Sequence, residues 1–185
     1  MLGNHGMMFD PFENRLCRDI RNSLGHAFVL AIQTKDMDSF KKVADQYQPD
    51  TRPEPVRDYI RHREACLKII YEKINTFPIS PKDEVSISIL LWNLELFFEF
   101  HEWVEIKWNS AFGRNKKAFQ VLILCAVTYE QLLYKRRRPA EKAAVKALLL
   151  LNEYRDALPE GFGADLLIQK LTGPDPVPPK FSLLV

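Results

Sequence analysis

FFEFHEWVEIKW, Phe97 to Trp108, sits inside a stretch from Leu96 to Ser110 whose pattern is helical and aromatic. On a helix each residue advances about 100°. His101 and Glu105 therefore lie about 40° apart, with Trp108 about 20° to the other side, so the three share one face. Glu102 lies about 100° away, on the flank. A His and a Glu one turn apart can both reach one small target, as helical metal sites require. The spacing also suits a buried hydrogen bond in which Glu105 fixes the imidazole tautomer.

The next helix, expected from Lys116 to Arg137, carries a matching stripe of Gln120, Leu124 and Gln131. A tight connection around Gly113 would fold the two helices into an antiparallel hairpin and bring the stripes together. Gln120 would then lie level with Trp108, and Gln131 nearer His101. His101, Glu105, Trp108, Gln120 and Gln131 are thus expected to form a buried polar cluster, since enclosed polar groups need one another as partners.

Working outward, the same periodicity fills the chain with helices. Leu16, Ile20, Leu24, Phe28 and Ile32 repeat at four-residue steps and predict a helix over Phe12–Gln33. A short helix is expected over Met37–Tyr47, capped by Asp36 or Asp38. Another is expected from Pro55 to about Asn75, with Val56, Tyr59, Ile60, Leu67, Ile70, Tyr71 and Ile74 inward. Ser80 and Pro81 start the next, with Asp83 and Glu84 in its first turn. There VSISI alternates with period two, so a short strand is the rival; helix is chosen because the start signals are strong and no partner strand is visible. Pro139 opens a further helix to about Ala157, and Asp165–Leu171 forms a last one.

The fold class predicted is all-α, a multi-helix bundle of antiparallel helical hairpins. Residues 1–82 form an amino-terminal helical portion of about three helices, 83–172 a second helical domain, and 173–185 a Pro-rich extended tail. The apolar end FSLLV is expected to dock, on its own domain or on a neighbour.

Composition narrows the function classes. A net charge of +2 over 185 residues points to neither nucleic acid nor membrane. The longest unbroken apolar run, Val121–Val127, is far short of a membrane span. Cys17, Cys66 and Cys125 are odd in number, far apart and never in a CxxC pair, so they read as buried reduced thiols of a cytoplasmic protein. The first residues show no signal peptide. Lys135–Arg138 reads as cations complementing a helix carboxy terminus, not as a phosphate site. His62 and Cys66, one turn apart, read as coincidence. Trp92, Trp103 and Trp108 read as core packing rather than stacking platforms.

The spacing H-E-x-x-E-x-x-W, with Asn93 eight residues before the His, resembles the bacterial family catalogued as domain of unknown function 309. Gln120-Val121-Leu122-Ile123-Leu124 echoes its second block and Gly163-Ala164-Asp165 its closing one. The resemblance runs over about residues 85–171. It implies an all-helical fold and a polar site centred on His101; the family carries the label predicted metal-dependent hydrolase. This chain departs from the family at Val121, Leu124 and Gln131, where Gly, Gln and His are usual. His101 and Glu105 are then two ligands where a catalytic zinc takes three.

The function expected is a non-enzymatic binding or interaction module, with a small molecule or a protein as partner and no cofactor. The alternative is a metal-dependent hydrolase that holds a divalent metal on His101 and Glu105, with Glu102 or Glu130 as third ligand or base. A homodimer is compatible with either.

Overall fold

The computed structural model describes residues 8–47, 52–76 and 83–183. Among the described residues there are eight α-helices and no strand, so the chain is all-α. It divides into two compact units, Met1–Thr76 and Phe77–Val185.

In the first unit, α1 (Arg15–Thr34) starts where Asn14 accepts a bond from the Cys17 amide. Ile20, Leu24, Phe28 and Ile32 are all fully enclosed, while Leu16, first of the predicted stripe, is half-buried. Asp36 caps α2 (Met37–Gln46) by accepting from the Asp38 amide at 2.9 Å. On α3 (Glu54–Thr76), Val56, Tyr59, Ile60, Leu67, Ile70 and Ile74 are buried. The Tyr71 hydroxyl donates to the Ala31 carbonyl at 2.6 Å and ties α3 to the end of α1. His62 Nε2 lies 3.7 Å from Cys66 Sγ on this helix.

In the second unit the ambiguous VSISI is helical, within α4 (Glu84–Asn93). The start expected at Ser80 and Pro81 lies outside the described residues. Asp83 acts as the cap, accepting from the Ser86 amide at 3.0 Å and from its hydroxyl at 2.9 Å. Ser88 donates to the Glu84 carbonyl at 2.6 Å. Both hydroxyls are thus satisfied locally and can be buried at little cost. All residues from Ser86 to Trp92 are buried, so α4 has no wet face and its alternation carries no strand information.

Glu95, at φ 60°, turns the chain out of α4. Its amide bonds the Trp92 carbonyl and the Leu96 amide bonds Leu91, the paired closure of a Schellman motif. Then follow α5 (Phe97–Ser110), α6 (Gly113–Leu133), α7 (Arg137–Tyr154), a 3-10 turn (Arg155–Ala157) and α8 (Ala164–Thr172). Only Ala111 and Phe112 join α5 to α6, so the two form the expected hairpin. Gly113 opens α6 at φ +56°, a conformation other residues rarely adopt, rather than merely closing α5.

The boundary between α6 and α7 differs from expectation. Helix α6 ends at Leu133, not Arg137, because Lys135 takes the left-handed conformation at φ 57°. The Lys135 amide bonds Leu132 and the Arg136 amide bonds Gln131, a second Schellman closure. With Lys in place of the usual Gly, the stop has no sequence signal. The basic run is therefore split. Arg137 and Arg138 lie in the first turn of α7, where the dipole opposes them, and Arg137 pairs with Glu141 at 2.9 Å. Pro139 sits inside that turn rather than opening it, a place where its missing N–H costs nothing.

The tail docks on its own unit. The Trp92 indole N–H donates to the Pro179 carbonyl at 2.7 Å. The Asn93 carboxamide donates to the Phe181 carbonyl at 2.7 Å and accepts from its amide at 3.0 Å. The Phe181 ring packs 5.0 Å from Phe162 and 5.6 Å from Trp92. Leu184 and Val185 lie outside the described residues. Phe181→Ala is expected to cost about 3 kcal/mol of stability, the low end for removing an enclosed ring; urea denaturation measures it.

Burial pushes the Cys125 thiol above its ordinary 9.0 and the Tyr129 phenol above 10.0, with Cys125 and Asp175 adding to the Tyr129 shift. Both groups are neutral when folded and ionise first in the unfolded chain. Their stabilisation is therefore complete below pH 9 and is lost as pH rises beyond it. Denaturation midpoints are expected to be flat from about pH 7 to about pH 9 and to fall above it.

Candidate functional site

Helix α5 presents His101 from its second turn, with Phe98 packed one turn below at a ring distance of 6.4 Å. The imidazole lies between two carboxylates of its own helix. His101 Nδ1 is 3.5 Å from Glu102 Oε1, and Nε2 is 3.7 Å from Glu105 Oε2. Each of the three residues offers one ligand atom within 4.8 Å of the others. Among the described residues it is the single cluster of His, Cys, Asp or Glu able to hold a metal ion.

Two expectations change here. The cluster is not buried: side-chain exposure is 27% at His101, 18% at Glu102 and 40% at Glu105. The hairpin packs through Phe97, Phe98, Phe100, Trp103 and Val104, and leaves the His101 side at the rim. Glu102, expected on the flank, joins the imidazole, because a flexible three-torsion side chain spans the 100° between successive helix positions.

The other expected partners make contacts elsewhere. The Gln131 carboxamide accepts from Arg136 Nε at 3.0 Å, so it serves the α6–α7 turn. Gln120 lines a shallow groove with Leu124 and the α7 residues Lys146, Leu149 and Leu150. The polar Gln stripe thus turns toward α7 rather than α5. Trp108 is half-buried, and the Lys116 ammonium sits 4.3 Å from its ring centre, clamping the hairpin beside its turn. Glu130 is buried on α6 and is not part of the cluster.

Glu99 was not singled out from the sequence, yet it is fully enclosed on α5. The available signal was its place in FFEF, an acid flanked by aromatics on both sides. A second feature escaped sequence reading because it joins distant segments. Trp103 and Val104 border a small apolar cleft of about 80 Å³, with Phe119, Leu122, Pro159 and Phe162 around it. The Trp103 indole N–H donates to the Glu84 carbonyl at 3.2 Å, and Lys107 pairs with the Glu84 carboxylate at 2.6 Å on the rim. Trp103 lies about 160° around α5 from His101.

Residues 88–145 match the family model described as Domain of unknown function (DUF309). The resemblance carried by His101, Glu105 and Trp108 is therefore borne out. The DUF309 match takes in most of α4, all of α5 and α6, and the first half of α7. Gly163-Ala164-Asp165 lies beyond it. No curated protein and no solved structure matches the chain. No helix among the described residues is long and apolar enough to cross a membrane.

His101 meets its carboxylates at long range and in partial contact with solvent, and such pairs contribute little to stability. His101→Ala is expected to change unfolding free energy by less than about 1 kcal/mol. A larger loss in chemical denaturation would mean that the imidazole has an enclosed structural role.

Proposed function

We propose that the chain is a non-enzymatic binding module whose ligand is a divalent transition-metal ion, taken up on α5 by His101, Glu102 and Glu105. The observation that carries this reading is the pair of carboxylates flanking one imidazole on a single helix turn. Two anions held this close repel each other and the ring lone pair. A cation bound among them relieves these repulsions.

Metal–ligand bonds of about 2.0–2.2 Å put ligand atoms closer together than the 4.8 Å of this cluster. Rotation of the partly exposed Glu side chains can close that gap without moving the helix. One nitrogen with two carboxylate oxygens favours zinc, manganese or nickel over calcium, which takes more oxygen ligands. Solvent fills the remaining positions.

A second reading draws on the same atoms. With Glu102 as third ligand, the set reaches the number that a hydrolytic zinc uses, leaving a position for water. Glu102 would then be a ligand rather than the base. Glu130, the other acid considered for that role, is buried on α6. An apolar substrate in the Trp103 cleft would sit on another side of α5 from the ion. The binding reading needs neither group.

Calorimetric titration of the full chain with Zn²⁺, Mn²⁺ and Ni²⁺ tests this. One equivalent is expected to bind, and affinity is expected to fall with pH as protons compete for the imidazole. His101→Ala is expected to weaken binding by at least about tenfold, the scale seen even for outer-sphere losses. Equal affinity in wild type and His101→Ala would overturn the assignment. Hydrolysis of a nitrophenyl ester or phosphate that depends on the bound ion would favour the second reading.

A further inference from the structure

The tail is held the way a bound peptide is held. Side chains read its main chain: the Trp92 indole takes the Pro179 carbonyl, and the Asn93 carboxamide takes both the carbonyl and the amide of Phe181. Between them, Lys180 Nζ reaches the Asn93 carbonyl at 2.8 Å and Glu95 Oε1 at 2.9 Å. Phe181 is the anchor, set between Trp92 and Phe162. An extended Pro-Pro segment, main-chain recognition and one aromatic anchor are together a peptide-docking mode.

We propose that this corner of α4 and α5 is a peptide-docking site that also works between molecules, its occupant being the Pro178–Phe181 segment of a second copy of this chain. None of the contacts requires the segment to be continuous with the α8 beside it. Every one is regenerated when two chains exchange tails, which is the condition for a swapped pair. The connection allows it. Residues 173–177 separate α8 from the docked segment and extend up to about 20 Å. In one chain they form a turn, in which the Asp175 amide bonds the Lys170 carbonyl at 3.3 Å and its carboxylate accepts from the Val177 amide at 2.8 Å. To cross, the connection opens this turn and gives up the Asp175–Lys170 backbone bond together with the partly exposed Lys170–Asp175 ion pair. A vacant groove is unfavourable, since it strands the Trp92 N–H and uncovers aromatic surface. A tail that leaves is therefore best replaced by another.

The Lys180–Glu95 contact supplies the test. Glu95→Cys and Lys180→Cys are made in separate chains, mixed, unfolded and refolded together, then oxidised. The three native cysteines are buried and do not compete. A disulfide-linked species of twice the chain mass is expected from the mixture and from neither variant alone. Phe181→Ala added to the Lys180→Cys chain is expected to cut its yield at least tenfold. The double variant Glu95→Cys/Lys180→Cys, oxidised when dilute, checks that the geometry permits the bond. If the double variant closes within one chain while the mixture stays monomeric, the proposal fails. It also fails if the mixture cross-links equally well with Phe181→Ala.

Discussion

The Trp92 indole needs an acceptor in a place where water does not reach. Its ring is the hub of the second unit, meeting Phe97 and Phe100 at 5.2 Å, Tyr129 at 5.4 Å and Phe181 at 5.6 Å. Such edge-on packing excludes solvent efficiently, and it makes an orphaned N–H costly. The three Phe rings carry no acceptor atom, and the Tyr129 hydroxyl does not take the hydrogen. A carbonyl arriving from 87 positions away, at Pro179, does so. The core of the α4–α7 array is thus completed by a segment with no helical structure, and Asn93 fixes that segment in register. The Pro-Pro sequence suits this role, since its carbonyls are free to accept and its backbone has little freedom to lose.

The proposed site inherits its character from the opposite side of the same helix. The aromatic residues of α5 that pack inward fix the rotation of the helix. That rotation carries His101, Glu102 and Glu105 to the rim, half-wet and close together. Full enclosure would have demanded that Gln120 and Gln131 satisfy the imidazole. At the rim the carboxylates alone suffice, and an ion can enter from solvent.

Much of the fold was legible because period and caps agreed. Ile20, Leu24, Phe28 and Ile32 mark one face of α1 without ambiguity, and Asp36 caps α2 as its position suggests. What the sequence hid has definite physical causes. Helix α4 is buried all round, so VSISI carried no orientation signal. Lys135 stops α6 in a conformation normally announced by glycine, which made the helix read four residues too long and misplaced the basic run. For the site, helix arithmetic put His101 and Glu105 together. It could not weigh the reach of a Glu side chain from the adjacent position, nor the rotation of α6 that turns its glutamines toward α7. The cleft at Trp103 draws on α4, α5, α6 and the loop before α8, and no local pattern encodes such an assembly.

Glu95 shows how one residue can be asked for two incompatible things. Its left-handed backbone would be more comfortable as glycine, which would end α4 with less strain. Its carboxylate, however, is the group that meets Lys180. Drift toward the easier turn residue would tighten the corner while loosening the strap across it. Local ease and long-range attachment therefore pull this position in opposite directions, and the acidic side chain there is a compromise between them.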